Sequence, residues 1–221
     1  VVFDDGSKLT VNEIFELPLN GTSEDDVIDG TGVNNTISGF TGDDIINGGG
    51  GNNTLFGNEG DDKLTVVRST DYYYQRDRAS KTNNTLTGGA GNDRLEGSVG
   101  AETYVFNKGD GQDTINDFDH NSRSTSAGWG KTDKIVLGAD ITKEDLSIQR
   151  VGNHLVLFIG GVGASDSITI ENMYSDSRYC IEEVVFDDGS KLTVSEIFGL
   201  PLNGTEGDDL INGTGGDNTI S

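Results

Sequence analysis

The chain is short of nearly everything that staples, spans or catalyses. Cys180 is its single cysteine among 221 residues, so no internal disulfide can form, and a buried, inert thiol is its expected role. Basic residues number 15 against 38 acidic ones, a formal charge of −23. Such a surface repels phosphate and excludes nucleic acid as a partner. No run of about 18 apolar residues predicts a membrane span, and the opening residues do not read as a signal segment. His120 and His154 have no Cys or His neighbour at metal-ligand spacing, Cys180 has no base nearby in sequence, and no G-x-S-x-G elbow occurs. No catalytic residue is therefore predicted, and the chain is not read as an enzyme. With only 32% hydrophobic residues, little apolar surface offsets the entropy of ordering, and composition alone reads as disorder.

What is present argues otherwise, because 33 glycines and the apolar residues are placed at regular intervals. Two periods are superimposed. The opening VVFDDGSKLTVNEIFELPLNGT returns at Val184 as VVFDDGSKLTVSEIFGLPLNGT. Over the whole overlap, residues 1–38 against 184–221, 30 of 38 positions are identical, which predicts one unit of a tandem array followed by the start of the next. The short period is nine: GTSEDDVID, GTGVNNTIS, GFTGDDIIN, GGGGNNTLF, GNEGDDKLT and, after an insertion, ASKTNNTLT, GGAGNDRLE, GSVGAETYV and KGDGQDTIN. The eighth position is the reliably apolar one, from Ile28 to Ile115. Each block is thus expected to give one short strand with one inward side chain, too little to stand without stacked neighbours. Something positive must join a fold this acidic.

The block GGAGNDRLE at 88–96 resembles the RTX, or haemolysin-type calcium-binding, nonapeptide G-G-x-G-x-D-x-apolar-x. The segments 102–119, 132–159 and 182–194 resemble the related domain that follows such repeats in large secreted bacterial proteins. The resemblance implies an all-β fold: a parallel β-roll, or calcium-binding solenoid, with a β-rich hairpin cap and a short helix at the junction. It also implies that two successive blocks make one coil, so alternate blocks lie on the same edge. The sixth positions then divide. Asp26, Asp44, Asp62, Asp93 and Asp113 fall on one edge, with Asp209 opening the next unit's column, while Asn35, Asn53, Asn84 and Glu102 fall on the other.

Calcium takes six to eight oxygens, which stacked carboxylates and turn carbonyls supply. Coils stacked about 4.8 Å apart can share an ion, and five Asp turns leave at most four gaps. The three Asn turns depart from the family pattern. There the expectation is weak or absent calcium and an Asn ladder of side-chain hydrogen bonds. Asp117, Asp119 and Asp133 are candidates for a further calcium. Asn and Asp both suit turns, but that alone does not produce the alternation.

The remainder divides as follows. Residues 1–19 read as the end of a preceding cap, 20–119 as the roll, 120–202 as a β-rich cap and 203–221 as the next roll. Hairpins are expected about Gly152-Asn153 and Asp188-Gly189, with DSITI (166–170) a further strand. Capping boxes at Thr10/Glu13 and Thr193/Glu196 predict short helices. An insertion at 65–81 carries Tyr72, Tyr73, Tyr74, Arg76 and Arg78; it suits contact with a glycan or an acidic neighbour, or folds back over its own roll. A second, 120–131, holds the one Trp and suits covering the roll's end. The N-x-T triplets match glycosylation acceptors but suit turn chemistry here.

Calcium is the cofactor implied, and adjacent units of the chain, with a glycan or surface ligand, are the partners expected. The leading functional expectation is a calcium-dependent structural and adhesive repeat of a large secreted or cell-surface bacterial protein, folding after type I export. The alternative is the non-catalytic portion of an exported toxin or hydrolase. Ice binding is a third reading, disfavoured because Thr22, Thr31 and Thr41 do not continue as a row along one edge.

Overall fold

The computed structural model describes residues 1–200 apart from 2, 6, 67–81, 99, 119–131, 162 and 176. The nine-residue blocks alternate between two facing sheets. The first contains β1 (Leu19–Asn20), β3 (Thr36–Thr41), β5 (Thr54–Glu59), β7 (Asn83–Ala90), β9 (Ala101–Phe106), β11 (Lys134–Leu137), β15 (Glu183–Val185) and β16 (Lys191–Thr193), hydrogen-bonded in that order. The second runs β2 (Val27–Asp29), β4 (Ile45–Asn47), β6 (Lys63–Thr65), β8 (Arg94–Glu96), β10 (Gln112–Asn116), β14 (Asp166–Ile170), β13 (His154–Ile159) and β12 (Leu146–Val151). Within the repeats every pairing is parallel, as a coil that always advances in one sense requires.

Register follows from the eighth position of each block. Ile37 lies beside Leu55, Leu55 beside Leu86 and Leu86 beside Tyr104 in one sheet; Ile28, Ile46, Leu64, Leu95 and Ile115 follow one another in the other. From Ile37 onward these side chains are buried and meet across the roll. The single inward side chain expected per block understates the burial. In β7 the buried residues are Asn84, Leu86 and Gly88, so positions six, eight and one of the next block all face inward. Glycine at position one is steric: a Cβ on Gly57 or Gly88 would overlap Oδ2 of Asp62 or Asp93.

Both insertions interrupt the connection from the second sheet to the first, before β7 and before β11. Beyond residue 132, where a cap is expected, the chain continues the roll. β11 pairs in parallel with β9, and β15 with β11. β14 pairs in parallel with β10, and the hairpin of β12 and β13 extends that sheet antiparallel, turning at Gly152 with φ of 62°. β15 and β16 form the second hairpin, with Gly189 at φ 81°. Two short helices, α1 (Val11–Phe15) and α2 (Val194–Ile197), follow their capping boxes.

At the second position of several blocks the backbone turns left-handed. Phe40 has φ 84° there, where Gly49 and Gly89 sit at 71° and 112°. A bulky side chain in that region is strained by about 1–2 kcal/mol, and Phe40 is exposed, so little packing compensates. Phe40→Gly is expected to raise stability by about 1 kcal/mol in calcium, read by urea unfolding. Leu55→Ala, by contrast, removes a fully buried side chain and is expected to cost about 2–5 kcal/mol.

Candidate metal centre

Sixth-position side chains lie in two columns, one on each edge of the roll. On the first edge the main-chain N–H of each Asp donates to Oδ1 of the Asp one coil further on. Asp26 N donates to Asp44 at 2.8 Å, Asp44 N to Asp62 at 2.8 Å, Asp62 N to Asp93 at 2.8 Å and Asp93 N to Asp113 at 3.1 Å. These bonds consume one oxygen of each carboxylate. Oδ2 of Asp44, Asp62, Asp93 and Asp113 is buried and meets no hydrogen-bond donor. Asp26 differs, because the Thr22 N–H and hydroxyl both donate to its Oδ2.

The second edge provides the comparison. Asn35 N donates to Asn53 Oδ1 at 3.0 Å and Asn53 N to Asn84 Oδ1 at 2.9 Å, the same arrangement with amides. The bonds of this ladder run from main-chain N–H to side-chain Oδ1. Coil spacing brings each Oδ1 to the neighbouring coil's free N–H. The second amide atom now has a proton, and Asn53 Nδ2 donates to the Gly49 carbonyl at 3.3 Å and that of Gly51 at 3.5 Å. The corresponding atom of an Asp turn is an oxygen with nothing to donate. A buried charged oxygen left in this way is costly unless a cation meets it.

Electrostatics agree. Burial, and then the neighbouring carboxylates, raise the Asp44 carboxyl above its ordinary range, Asp62 to about 6, Asp93 to about 7 and Asp113 to about 8. In each case the main-chain hydrogen bond from the preceding Asp opposes the rise without cancelling it.

Fifth-position residues, which the sixth-position reading passed over, bond in the reverse sense. Asp43 N donates to Asp25, Asp61 N to Asp43 and Asn92 N to Asp61, at 2.9, 2.8 and 2.7 Å. On the other edge Asn52 N donates to Asn34 and Asn83 N to Asn52. The doublets Asp-Asp and Asn-Asn are thus one inner and one outer column per edge. The doubling itself was the available signal.

The amide edge turns acidic at its later end. Asn84 Nδ2 donates to Glu102 Oε1 at 2.9 Å, Glu102 N to Asp133 Oδ1 at 2.7 Å and Asp133 N to Glu182 Oε2 at 2.8 Å. Oxygens of Glu102, Asp117 and Asp133, all buried, lie within 4.8 Å of one another. Asp117 occupies the inward position that glycine holds in earlier blocks, and neither of its oxygens receives a hydrogen bond. Burial and the charges of Asp133 and Glu102 push its carboxyl well above the ordinary range, with the nearby Tyr104 hydroxyl opposing. Burial and then Glu102 drive Asp133 up to about 9. Asp117 and Asp133 thus meet with Glu102, which sequence reasoning assigned to the amide edge. Asp119, Asp209, Tyr72, Tyr73, Tyr74, Arg76 and Arg78 lie outside the described residues.

The donor set suits a hard divalent cation. It is all oxygen, predominantly carboxylate, and holds no imidazole or thiolate. His154 Nδ1 accepts the Asn172 N–H, a structural role. Cys180 is partly buried and its thiol is pushed up to about 12, by burial and then by Glu182, which leaves it unreactive.

The family models that match the chain agree with this chemistry. The RTX calcium-binding nonapeptide repeat matches at residues 20–55, 38–66, 79–115 and 202–221, and the haemolysin-type calcium binding protein related domain at 154–196. Iron-regulated protein FrpA of Neisseria meningitidis serogroup C is 33% identical over 104 residues, 46% of this chain. The chain spans 8% of that protein's length over the match. Among solved structures, extracellular lipase LipA from Serratia marcescens aligns with 77% of this chain and 40% of its own, at 18% identity and a TM-score of 0.32.

Two outcomes follow. Protons retained by the folded Asp column stabilise the calcium-free form fully below about pH 4, and that contribution is lost as pH rises through about 6 to 8. In chelator, circular dichroism should therefore show a larger folded fraction at pH 5 than at pH 8. Asp62→Asn should make the chelated protein more stable at pH 8 by about 1–3 kcal/mol, since it supplies the missing donor, while calorimetry counts fewer bound ions. A less stable chelated variant would show that the orphaned oxygen is not a liability.

Proposed function

We propose that this RTX nonapeptide-repeat chain, with its haemolysin-type calcium binding protein related domain, is a calcium-dependent structural and adhesive module of a large secreted or cell-surface bacterial protein. The supporting observation is the column of buried Asp oxygens without donors from Asp44 to Asp113. Calcium held by Asp44, Asp62, Asp93 and Asp113, with turn carbonyls, would supply the positive charge that these oxygens lack. Glu102, Asp117 and Asp133 would hold a further ion at the other edge.

A net charge of −23 makes the ion-free chain self-repelling, and each ion bound by the folded state alone stabilises it by mass action. At affinities of about 10⁻⁴ to 10⁻³ M, those of extracellular calcium modules, a calcium-poor cytosol leaves the chain unfolded and export switches folding on. The near-identical segments 183 residues apart suit an array that holds something away from a surface. The insertion at 65–81, with Tyr72, Tyr73, Tyr74, Arg76 and Arg78, is the adhesive candidate.

Titrating calcium into chelated protein, followed by circular dichroism, should give a coil-to-strand transition with a midpoint near 10⁻⁴ to 10⁻³ M. A strand-rich spectrum in chelator at neutral pH would refute export-triggered folding.

A further inference from the structure

One stretch of sequence occurs twice in this structure in two different environments. Residues 1–20 and 184–203 share 18 of 20 identities. They also share local hydrogen bonds. Phe3 N donates to Ser7 O and Phe186 N to Ser190 O, both at 2.9 Å. The main-chain N–H of Thr10 and of Thr193 donates to the capping glutamate, Glu13 or Glu196. What covers them differs.

In the later copy Val184 is 0% exposed, Phe186 6% and Leu200 3%; the equivalent Val1, Phe3 and Leu17 are 65%, 47% and 47% exposed. The later copy is covered from behind. β15 lies on β11, with Val184 beside Ile135. Phe198 stacks on Tyr174 with ring centroids 5.2 Å apart, and the Arg150 guanidinium sits over the other ring partner, 4.6 Å from the Tyr174 centroid. Phe15, the equivalent of Phe198, is 49% exposed.

The earlier copy is instead engaged from in front. Its β1 pairs in parallel with β3, and the Phe15 carbonyl accepts Asn35 Nδ2 at 3.3 Å, closing the amide column. One sequence is therefore seen once with its rear face packed and once with its front face packed. The faces are separate, so both can be engaged together.

We propose that the apolar face of Val1, Phe3, Phe15 and Leu17 is a docking surface for a second copy of this unit, through the surface formed here by Ile135 and Tyr174. The hairpin and helix then act as a two-sided joint, packed backward on one roll and forward on the next. Successive units meet core to core, without a flexible linker between them. The inference rests on the reading of the chain as one unit of an array, and it is independent of what an array adheres to.

Hydrogen exchange by mass spectrometry in calcium tests it, on the full chain and on a two-unit protein with another copy of residues 20–183 placed ahead of it. In the single chain, amides of residues 3–17 should exchange at least tenfold faster than those of 186–200. In the two-unit protein, the internal joint should become as protected as the terminal one. Leu17→Ser at the internal joint should remove that protection while both rolls stay protected. Unchanged fast exchange at the internal joint, with both rolls folded, would overturn the proposal. So would dimerisation of the single chain that protects residues 3–17 while the two-unit joint stays open. Failure of the rolls themselves to fold in calcium would strike the proposed calcium dependence instead, and circular dichroism on the same samples separates the two.

Discussion

A carboxylate has two oxygens, and the coil geometry of this roll satisfies only one of them. Each inner Asp accepts a main-chain N–H from the preceding coil through Oδ1, which fixes the side chain and points Oδ2 into the interior. In the coils of Asp44, Asp62 and Asp93 glycine at position one leaves it room. The oxygen so placed is buried among like charges, from Asp44 to Asp113, and the carboxyls respond by holding protons to about pH 6, 7 and 8 along the column. Proton and cation therefore compete for the same oxygens. The proton neutralises one charge, whereas a divalent cation can satisfy two coils at once and tie them together.

The Asn edge shows what the same backbone does when that competition is absent. Asn53 keeps the Oδ1 bond and turns its Nδ2 to the Gly49 and Gly51 carbonyls, so the turn closes without an ion. One edge is thus self-sufficient over the first coils and the other is conditional. Past Asn84 the pattern reverses, and Glu102, Asp117 and Asp133 gather in the interior where the second insertion begins. Acidic residues at both edges bring the later coils under the same control.

The nine-residue period was legible because it is enforced by packing. Ile46, Leu64 and Leu95 must each land on the column that the previous coil began, and the sequence cannot drift without losing that burial. The alternation of Asp26, Asn35, Asp44 and Asn53 was legible for the same reason. Less could be read where a residue acts through the backbone. The outer column of Asp25, Asp43 and Asp61 donates and accepts along the turn, and one side chain beside another of its kind looks like redundancy. Asp117 was singled out as acidic, but its meeting with Glu102 depends on a coil whose connection is lengthened by the second insertion, and spacing no longer reports proximity there. The joint was half visible: the capping boxes and hairpins were readable, whereas the bare rear face of residues 1–17 required two copies seen side by side.

The seating of calcium on the Asp column is the most direct test. Calorimetry at pH 7 counts the ions bound by the chain and by the variants Asp93→Asn and Asp113→Asn, which remove carboxylates whose Oδ2 is buried without a donor. Each variant should bind fewer ions than the parent chain, because a cation shared between coils needs the carboxylates of both. An unchanged ion count in both variants would contradict an ion seated on the buried Asp column.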